Sequence, residues 1–300
     1  MGTALLLAGP TAAGKSEIAL ALADKIGGEI VSVDSMQVYR ELDIGTAKPT
    51  PADRARVRHH LVDVVGLTES FDAARFAALA TAAIEDIQGR RRVPILCGGT
   101  GLYFNALLKG LGNAPPTDPA VRTQLEAKPL EELLRELAEG DPATYERIDR
   151  QNPRRVIRAL EVIRLTGRPF SGQRADWSAS ARSLPVVGFG LFRSSECLRA
   201  RIDARVEAMF KAGLVEETRE LLKRGLAENR MAAQALGYRQ VIDHLGGKST
   251  LEETMGLVKT RTRQFAKRQM TWFKRQMELQ WIDLEKPEDW VTRIASQFQS

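Results

Sequence analysis

Cysteine is almost absent: Cys97 and Cys197 are the only two in 300 residues, a hundred positions apart. They form neither a disulfide framework nor a zinc-ligand spacing, which fits a protein of a reducing, cytoplasmic compartment. Histidine is nearly as rare, at three residues. His59 and His60 are neighbours whose side chains point apart, and His244 is remote. A structural role is expected for them, not a histidine-held metal. Long apolar runs are lacking as well. No stretch of about 18 uncharged apolar residues occurs, which excludes a membrane-spanning helix. The opening MGTALLLAG is short, has no basic leader and runs into a glycine loop. It reads as a buried strand, not a signal peptide. No internal repeat and no low-complexity tract interrupts the chain.

Hydrophobic residues make up 43% of the sequence, enough for a sizeable core. The length exceeds that of a typical single domain, so a core with a second domain is expected. The formal charge of +6 is a moderate bias towards a polyanionic partner.

Strand-like apolar runs at 3–8, 29–33, 61–65 and 93–97 alternate with helical spacing at 14–26 and 71–89. That alternation predicts an α/β fold with a parallel sheet covered on both faces. Residues 112–119 read GNAPPTDP, a loop. From there to about residue 182 only helical spacing is found. A buried strand returns at 186–192, and the remainder is largely helical until 279–283. The architecture expected is an α/β core of residues 1–114 and 183–300, with an all-helical insertion at 115–182.

Gly9, Pro10, Thr11, Ala12, Ala13, Gly14, Lys15 and Ser16 match G-x-x-x-x-G-K-[ST] in full, between a strand and a helix. The core is therefore of the P-loop NTPase type. Backbone N–H groups and a helix N-terminus can close around phosphate oxygens, Lys15 can reach the outer ones, and Ser16 can ligate Mg²⁺. The loop specifies a diphosphate or triphosphate without choosing between them. An ordinary ATPase would also end a strand in an acid near the metal. Residues 93–97 end in glycines, and the nearest acids are Asp34 and Asp63. Asp34 follows the second strand, where ligands of open α/β sheets bind. It can act there as a general base, a Mg²⁺ partner or a helix cap. Cys97 ends a buried strand without a histidine partner and reads as a core residue, as do Trp272 and Trp281.

GPTAAGKS, SVDSMQVYRELDIGTAKP (32–49), HHLVD (59–63) and GGTGLY (98–103) occur in the order found in the bacterial tRNA dimethylallyltransferase family, the MiaA type. NPRRVIRALEV (152–162), RIDARVEAMFKAGLVEE (201–217), ALGYRQ (235–240) and TRQFAKRQMTWF (262–273) continue the match over nearly the whole chain. The chain resembles that family, and departs from its pattern with Ala13 where Ser is usual and Phe265 where Tyr is frequent. The resemblance implies that the loop holds the diphosphate of dimethylallyl diphosphate with Mg²⁺. It implies that Asp34 is the base for the adenine amine and that Thr100 contacts the target nucleotide. Asp34, Ser35, Met36, Gln37, Thr100, Arg122, Gln151, Asn152, Pro153, Arg154 and Arg155 match tRNA-contacting positions. An arginine of the 201–205 segment would bind diphosphate, with Arg205 preferred over Arg201. The implied reaction alkylates the N6 amine of adenosine 37, beside the anticodon, in tRNAs reading codons that begin with U. The tRNA anticodon stem-loop and dimethylallyl diphosphate are thus the expected partners, and a monomer is expected. The amine must lose a proton as it attacks, which a carboxylate can take. The departing diphosphate needs donors and cations. The adenine must leave its stack to reach them.

Residues 259–276 contain seven Lys or Arg and no acid. At 100° per residue Arg261, Arg263, Lys267, Arg268, Lys274 and Arg275 gather on one side, opposite Phe265, Ala266, Met270, Trp272, Phe273 and Met277. Arg261, Arg268 and Arg275 are expected on tRNA. Residues 147–174 add eight arginines against two acids. The competing functions are a P-loop small-molecule kinase, an adenylate prenyltransferase of the cytokinin type, and a nucleic-acid-binding module with a vestigial loop.

Overall fold

Alanine and leucine fill every position of β1 (Ala4–Ala8), and all five are buried, as a strand covered on both faces requires. The computed structural model describes residues 2–173 and 184–299. After β1 the chain runs through α1 (Lys15–Ile26), β2 (Gly28–Val33), α2 (Pro51–Arg56), β3 (His59–His60), α3 (Ala73–Gly89), β4 (Val93–Gly98) and α4 (Gly101–Lys109). Four helices follow: α5 (Pro119–Glu126), α6 (Leu130–Gly140), α7 (Pro142–Arg147) and α8 (Pro153–Thr166). Then come β5 (Val186–Phe192), α9 (Ser195–Lys211), α10 (Leu214–Lys223), α11 (Tyr238–Leu245), α12 (Leu251–Gln276), β6 (Gln280–Asp283) and α13 (Trp290–Gln299).

The sheet has six strands in the order β3-β2-β4-β1-β5-β6, every pair parallel. Alternate side chains of β1 feed opposite faces. Ala4, Leu6 and Ala8 join a cluster with Phe76, Phe104 and Phe273, while Leu5 and Leu7 join another with Leu22, Phe189 and Ile294. β4 enters between β1 and β2, so the loops after β2, β4 and β1 leave the same edge side by side.

The chain divides into two compact units, which among the described residues are 2–108 with 184–299, and 109–173. The second unit is helical and packs around Leu125, Leu133, Leu137, Val156 and Leu160. Asp118 and Asp141 cap α5 and α7. Glu161 is fully buried there, accepting from Asp118 N (2.9 Å) and Arg158 Nη1 (2.7 Å). Arg174 and the expected boundary near residue 182 lie outside the described residues.

One expected strand is corrected. Residues 61–65 are a turn: Leu61 and Asp63 have φ of 61° and 59°, in the left-handed region that no strand uses. Only His59–His60 pairs with β2, and Val65 makes a single bridge to Tyr39. The turn still buries Leu61 and Val65, which is why the run is apolar. It delivers Asp63 to Lys48 and to Arg54 Nη1 (2.6 Å to Oδ2). His60 Nε2 lies 2.7 Å from Glu29 Oε2, and Arg90 also grips that carboxylate. The Arg90 hydrogen bond, against the opposing effect of burial, holds the Glu29 acid down to about 2.

Trp272 and Trp281, expected as core residues, are half-buried and packed against the core. Both cysteines are free. No helix among the described residues is long and apolar enough to cross a membrane.

Candidate active site

The phosphate loop begins where β1 passes close to β5. A side chain on Gly9 would bring a Cβ within 2.3 Å of Leu191 O. Beyond it the backbone turns back through Ala12 (φ 62°) and Gly14 (φ 106°) into α1. Gly14 caps α1 without any side-chain hydrogen bond, so the first-turn N–H groups stay open to a ligand. Cations take the loop's carbonyl oxygens. Lys15 Nζ bonds Pro10 O at 2.8 Å, Arg201 Nε bonds Ala12 O at 2.8 Å, and Arg193 Nε bonds Ala13 O at 2.9 Å. With its carbonyls held this way, the loop is built to receive anionic oxygen on its N–H side.

A cleft of about 550 Å³ opens over this loop, a size suited to a small ligand. Thr11, Ala12, Gly14, Lys15, Ser16, Asp34, Gln37, Arg201 and Arg205 all line it. Gly9, Pro10 and Ala13 are buried behind them. Lys15, Asp34 and Gly99 thus come from the carboxyl ends of three neighbouring strands.

Asp34 is half-buried and caps no helix. Its Oδ1 accepts from Met36 N (2.8 Å) and Gln37 N (3.2 Å), closing a turn. No described residue donates to its Oδ2. Thr100 Oγ1 accepts from Ser35 N at 3.2 Å, and Thr100 N donates to Val33 O at 3.2 Å. Thr100 therefore ties the loop after β4 to the loop that carries Asp34. Gln37 is engaged within the fold. Its amide oxygen accepts from Ser32 Oγ (2.8 Å), and its Nε2 donates to Thr46 O and Ala47 O (both 3.2 Å). Met36 packs against the core.

The two arginines of α9 differ. Arg201 is committed to Ala12 O and, at 3.3 Å, to Glu17. Arg205 meets no carboxylate within ion-pair distance among the described residues. Burial lowers its guanidinium below the ordinary value, against the favourable field of Asp34. Lys15 is pushed down to about 8, burial first, with Arg205 adding to the effect and Cys97 and Asp34 opposing it. Cys97 also lines the cleft, and burial pushes its thiol up to about 11, in keeping with a core residue. A site that holds Lys15 and Arg205 together without a neutralising ion pair is one prepared for an anion.

Ser16 is exposed at the first turn of α1 and lines the same cleft. No group of three His, Cys, Asp or Glu clusters for metal binding among the described residues. This donor set does not amount to a protein cage. It fits a Mg²⁺ held mainly by phosphate oxygens and water, with one or two protein oxygens.

On α12 Arg261, Arg268 and Arg275 are exposed as expected. Arg268 and Arg275 border a concavity with Lys267 and the half-buried Trp272. Arg263 is corrected: it is half-buried and pairs with Asp203 of α9 instead of joining the free face. Arg122, Gln151, Asn152, Pro153, Arg154 and Arg155 belong to the helical unit. Arg122 pairs with Glu126 at 3.3 Å, Asn152 and Pro153 open α8, and Gln151, Arg154 and Arg155 are exposed. Gln269, whose side chain reaches into the floor of the cleft, lies within the matched 262–273 segment but was given no role there, and no sequence pattern pointed to Arg193.

The family model described as IPP transferase matches residues 37–276. A relative from Citrifermentans bemidjiense named tRNA dimethylallyltransferase 1 is 48% identical over 279 residues, covering 93% of this chain and 91% of that protein. One from Geobacter metallireducens, tRNA dimethylallyltransferase, is 45% identical and covers 93% and 92%. Among solved structures, the tRNA isopentenylpyrophosphate transferase of Bacillus halodurans is similar with a TM-score of 0.73 and 38% identity, covering 100% of this chain and 95% of that one. A eukaryotic dimethylallyltransferase acting on tRNA aligns with a TM-score of 0.81 and 27% identity, covering 99% and 78%. The phosphate-loop cleft, the parallel sheet and these matches together make the chain a member of the tRNA dimethylallyltransferase family, a family of prenyl transferases.

Proposed function

We propose that this protein transfers the dimethylallyl group of dimethylallyl diphosphate to the N6 amine of adenosine 37 in tRNAs reading codons that begin with U, releasing diphosphate. The observation that carries the reading is one cleft holding two unneutralised cations, Lys15 and Arg205, beside a carboxylate with a free oxygen, Asp34 Oδ2.

Residues 9–16 and Arg205 bind the diphosphate and stabilise its growing charge as the allylic C–O bond breaks. The adenine amine forms the new C–N bond and gives its proton to Asp34. Thr100, hydrogen-bonded to the Asp34 loop, orients the target nucleotide. Mg²⁺, with Ser16 as a protein ligand, would neutralise diphosphate charge when bound. Ser35, Met36 and Gln37 border the nucleotide entrance. Arg122 and residues 151–155 of the helical unit, with Arg261, Arg268 and Arg275 of α12, hold the RNA backbone. The adenine enters by base flipping. The wide basic surface favours tRNA over a free adenylate.

The test is product identity. The protein and Mg²⁺ are incubated with dimethylallyl diphosphate or ATP, with tRNA or AMP offered as acceptor, and products are identified by mass spectrometry. A dimethylallyl group on one adenine of tRNA is expected. Phosphorylated AMP, prenylated AMP, or binding without turnover would each replace this function with a rival.

A further inference from the structure

Gln269 lies in the basic half of α12, yet it is 8% exposed and turns inward. Its Oε1 accepts from Thr11 N of the phosphate loop at 2.9 Å, across 258 residues of sequence. Its Nε2 donates to Gly99 O, next to Thr100, at 2.9 Å. One amide thus spans the loop that grips the leaving group and the loop that orients the acceptor. The fit is close: a Cβ on Gly99 would stand 2.3 Å from Gln269 Nε2. Three positions along, Trp272 lies over Gly101, where a Cβ would meet its ring at 2.2 Å. Glycine on both sides of Thr100 lets α12 seat directly on that loop.

We propose that Gln269 is a positioning residue which sets the separation between the diphosphate and the acceptor adenine by tying the phosphate loop to the Thr100 loop. The proposal rests on the prenyl-transfer reading of the same cleft. Its physical basis is the double demand on the amide. Only a side chain with both an acceptor and a donor, at the length of glutamine, satisfies both backbone groups. Losing the donor leaves the buried Gly99 O unpaired, losing the acceptor releases the partly buried Thr11 N, and in each case the loop is free to shift. A shift of about 1 Å between reacting groups is enough to cost about a hundredfold in rate.

Gln269→Leu keeps the approximate volume and removes both bonds. Gln269→Glu keeps the acceptor for Thr11 N and removes the donor to Gly99 O. Single-turnover transfer from dimethylallyl diphosphate to tRNA is measured at saturating substrates for both. Affinities for inorganic diphosphate and for tRNA, and Tm, are measured alongside. The expected result for Gln269→Leu is a rate at least about tenfold lower and a diphosphate affinity weaker by about tenfold, with tRNA affinity within about twofold of wild type. Gln269→Glu should also slow transfer, and it carries the test if the leucine variant does not fold. A saturated rate at wild-type level in either folded variant overturns the proposal. So does a rate that falls only in proportion to the folded fraction. If wild type binds diphosphate in a Gln269-dependent way but prenylates no tRNA, the functional reading falls and the tie between the loops stands.

Discussion

In the first half of α12 two of the three cations are already matched: Lys259 pairs with Glu207 at 2.6 Å and Arg263 pairs with Asp203, both on α9, while Arg261 stays exposed. In the second half Lys267, Arg268, Lys274 and Arg275 meet no carboxylate within ion-pair distance among the described residues. Arg268 sits 6.0 Å above the Phe265 ring and Lys274 5.9 Å above Trp281. The same contrast separates two arginines one turn apart on α9, where Arg201 is bonded into the phosphate loop and Arg205 is left in the cleft. A paired cation holds two elements together. An unpaired one is open to a charge that arrives from outside, and where it is buried, as Arg205 is, it is kept there at an electrostatic cost. One such set is buried in the cleft and another is exposed along the helix, and they suit a compact diphosphate and an extended RNA backbone respectively.

The largest expected effect concerns the carboxylate between the cleft cations. Asp34→Asn preserves the turn, because an amide oxygen can still accept from Met36 N and Gln37 N, but it cannot take the amine proton. Single-turnover transfer at saturating tRNA should slow by about a hundredfold or more, with a much smaller loss of tRNA affinity. A defect that shrinks as Mg²⁺ is raised would make Asp34 a metal partner instead, and a near-wild-type rate would remove it from the chemistry.

The arginine contrast is tested next. Arg205→Ala should weaken diphosphate binding by about tenfold to a hundredfold, the range for hydrogen bonds to charged groups. Arg201→Ala should cost several-fold less, because that guanidinium, although it lines the cleft, is already engaged by Ala12 O and Glu17. Equal losses by calorimetric titration would erase the distinction.

The contrast along α12 follows. Changing Arg261, Arg268 and Arg275 together to Glu should weaken tRNA binding. It should also reduce the log–log salt slope by roughly 0.7 to 0.9 for each RNA phosphate that is no longer neutralised. Arg263→Ala should instead lower Tm and leave that slope unchanged. An unaltered slope in the triple variant would make the exposed face merely solvated.

The smallest effect is in pH. Burial lowers Lys15 to about 8 from 10.5, so diphosphate affinity should fall by a few-fold as pH rises through about 8, and Lys15→Ala should flatten that limb. The stability effect has the opposite sign. Because the folded value is the lower one, the unfolded chain binds the extra proton between about 8 and 10.5. The cost of burying the charged amine is present in full below about 8 and disappears as pH rises towards 10.5.

The sheet was legible because buried parallel strands are plain apolar runs, and the phosphate loop because its spacing is set by the backbone it must fold. Residues 61–65 misled for a related reason: a turn that buries Leu61 and Val65 has a strand's composition, and positive φ at Leu61 and Asp63 leaves no mark on it. Arg263 misled because helical angles assign a face without revealing that Asp203 stands opposite. Arg201 and Arg205 could not be separated by sequence, since the difference lies in which of them meets the Ala12 carbonyl. Gln269 was invisible because both its partners are backbone atoms of distant loops, and a backbone atom has no identity in sequence.

The most direct test of two cation sets serving two anions is a pair of equilibrium titrations on Lys15→Ala, one with dimethylallyl diphosphate and one with tRNA. Lys15 is a point charge within the phosphate loop. The expected result is a strong loss of diphosphate affinity with tRNA affinity nearly intact. Equal loss of both affinities would contradict the division between cleft and helix.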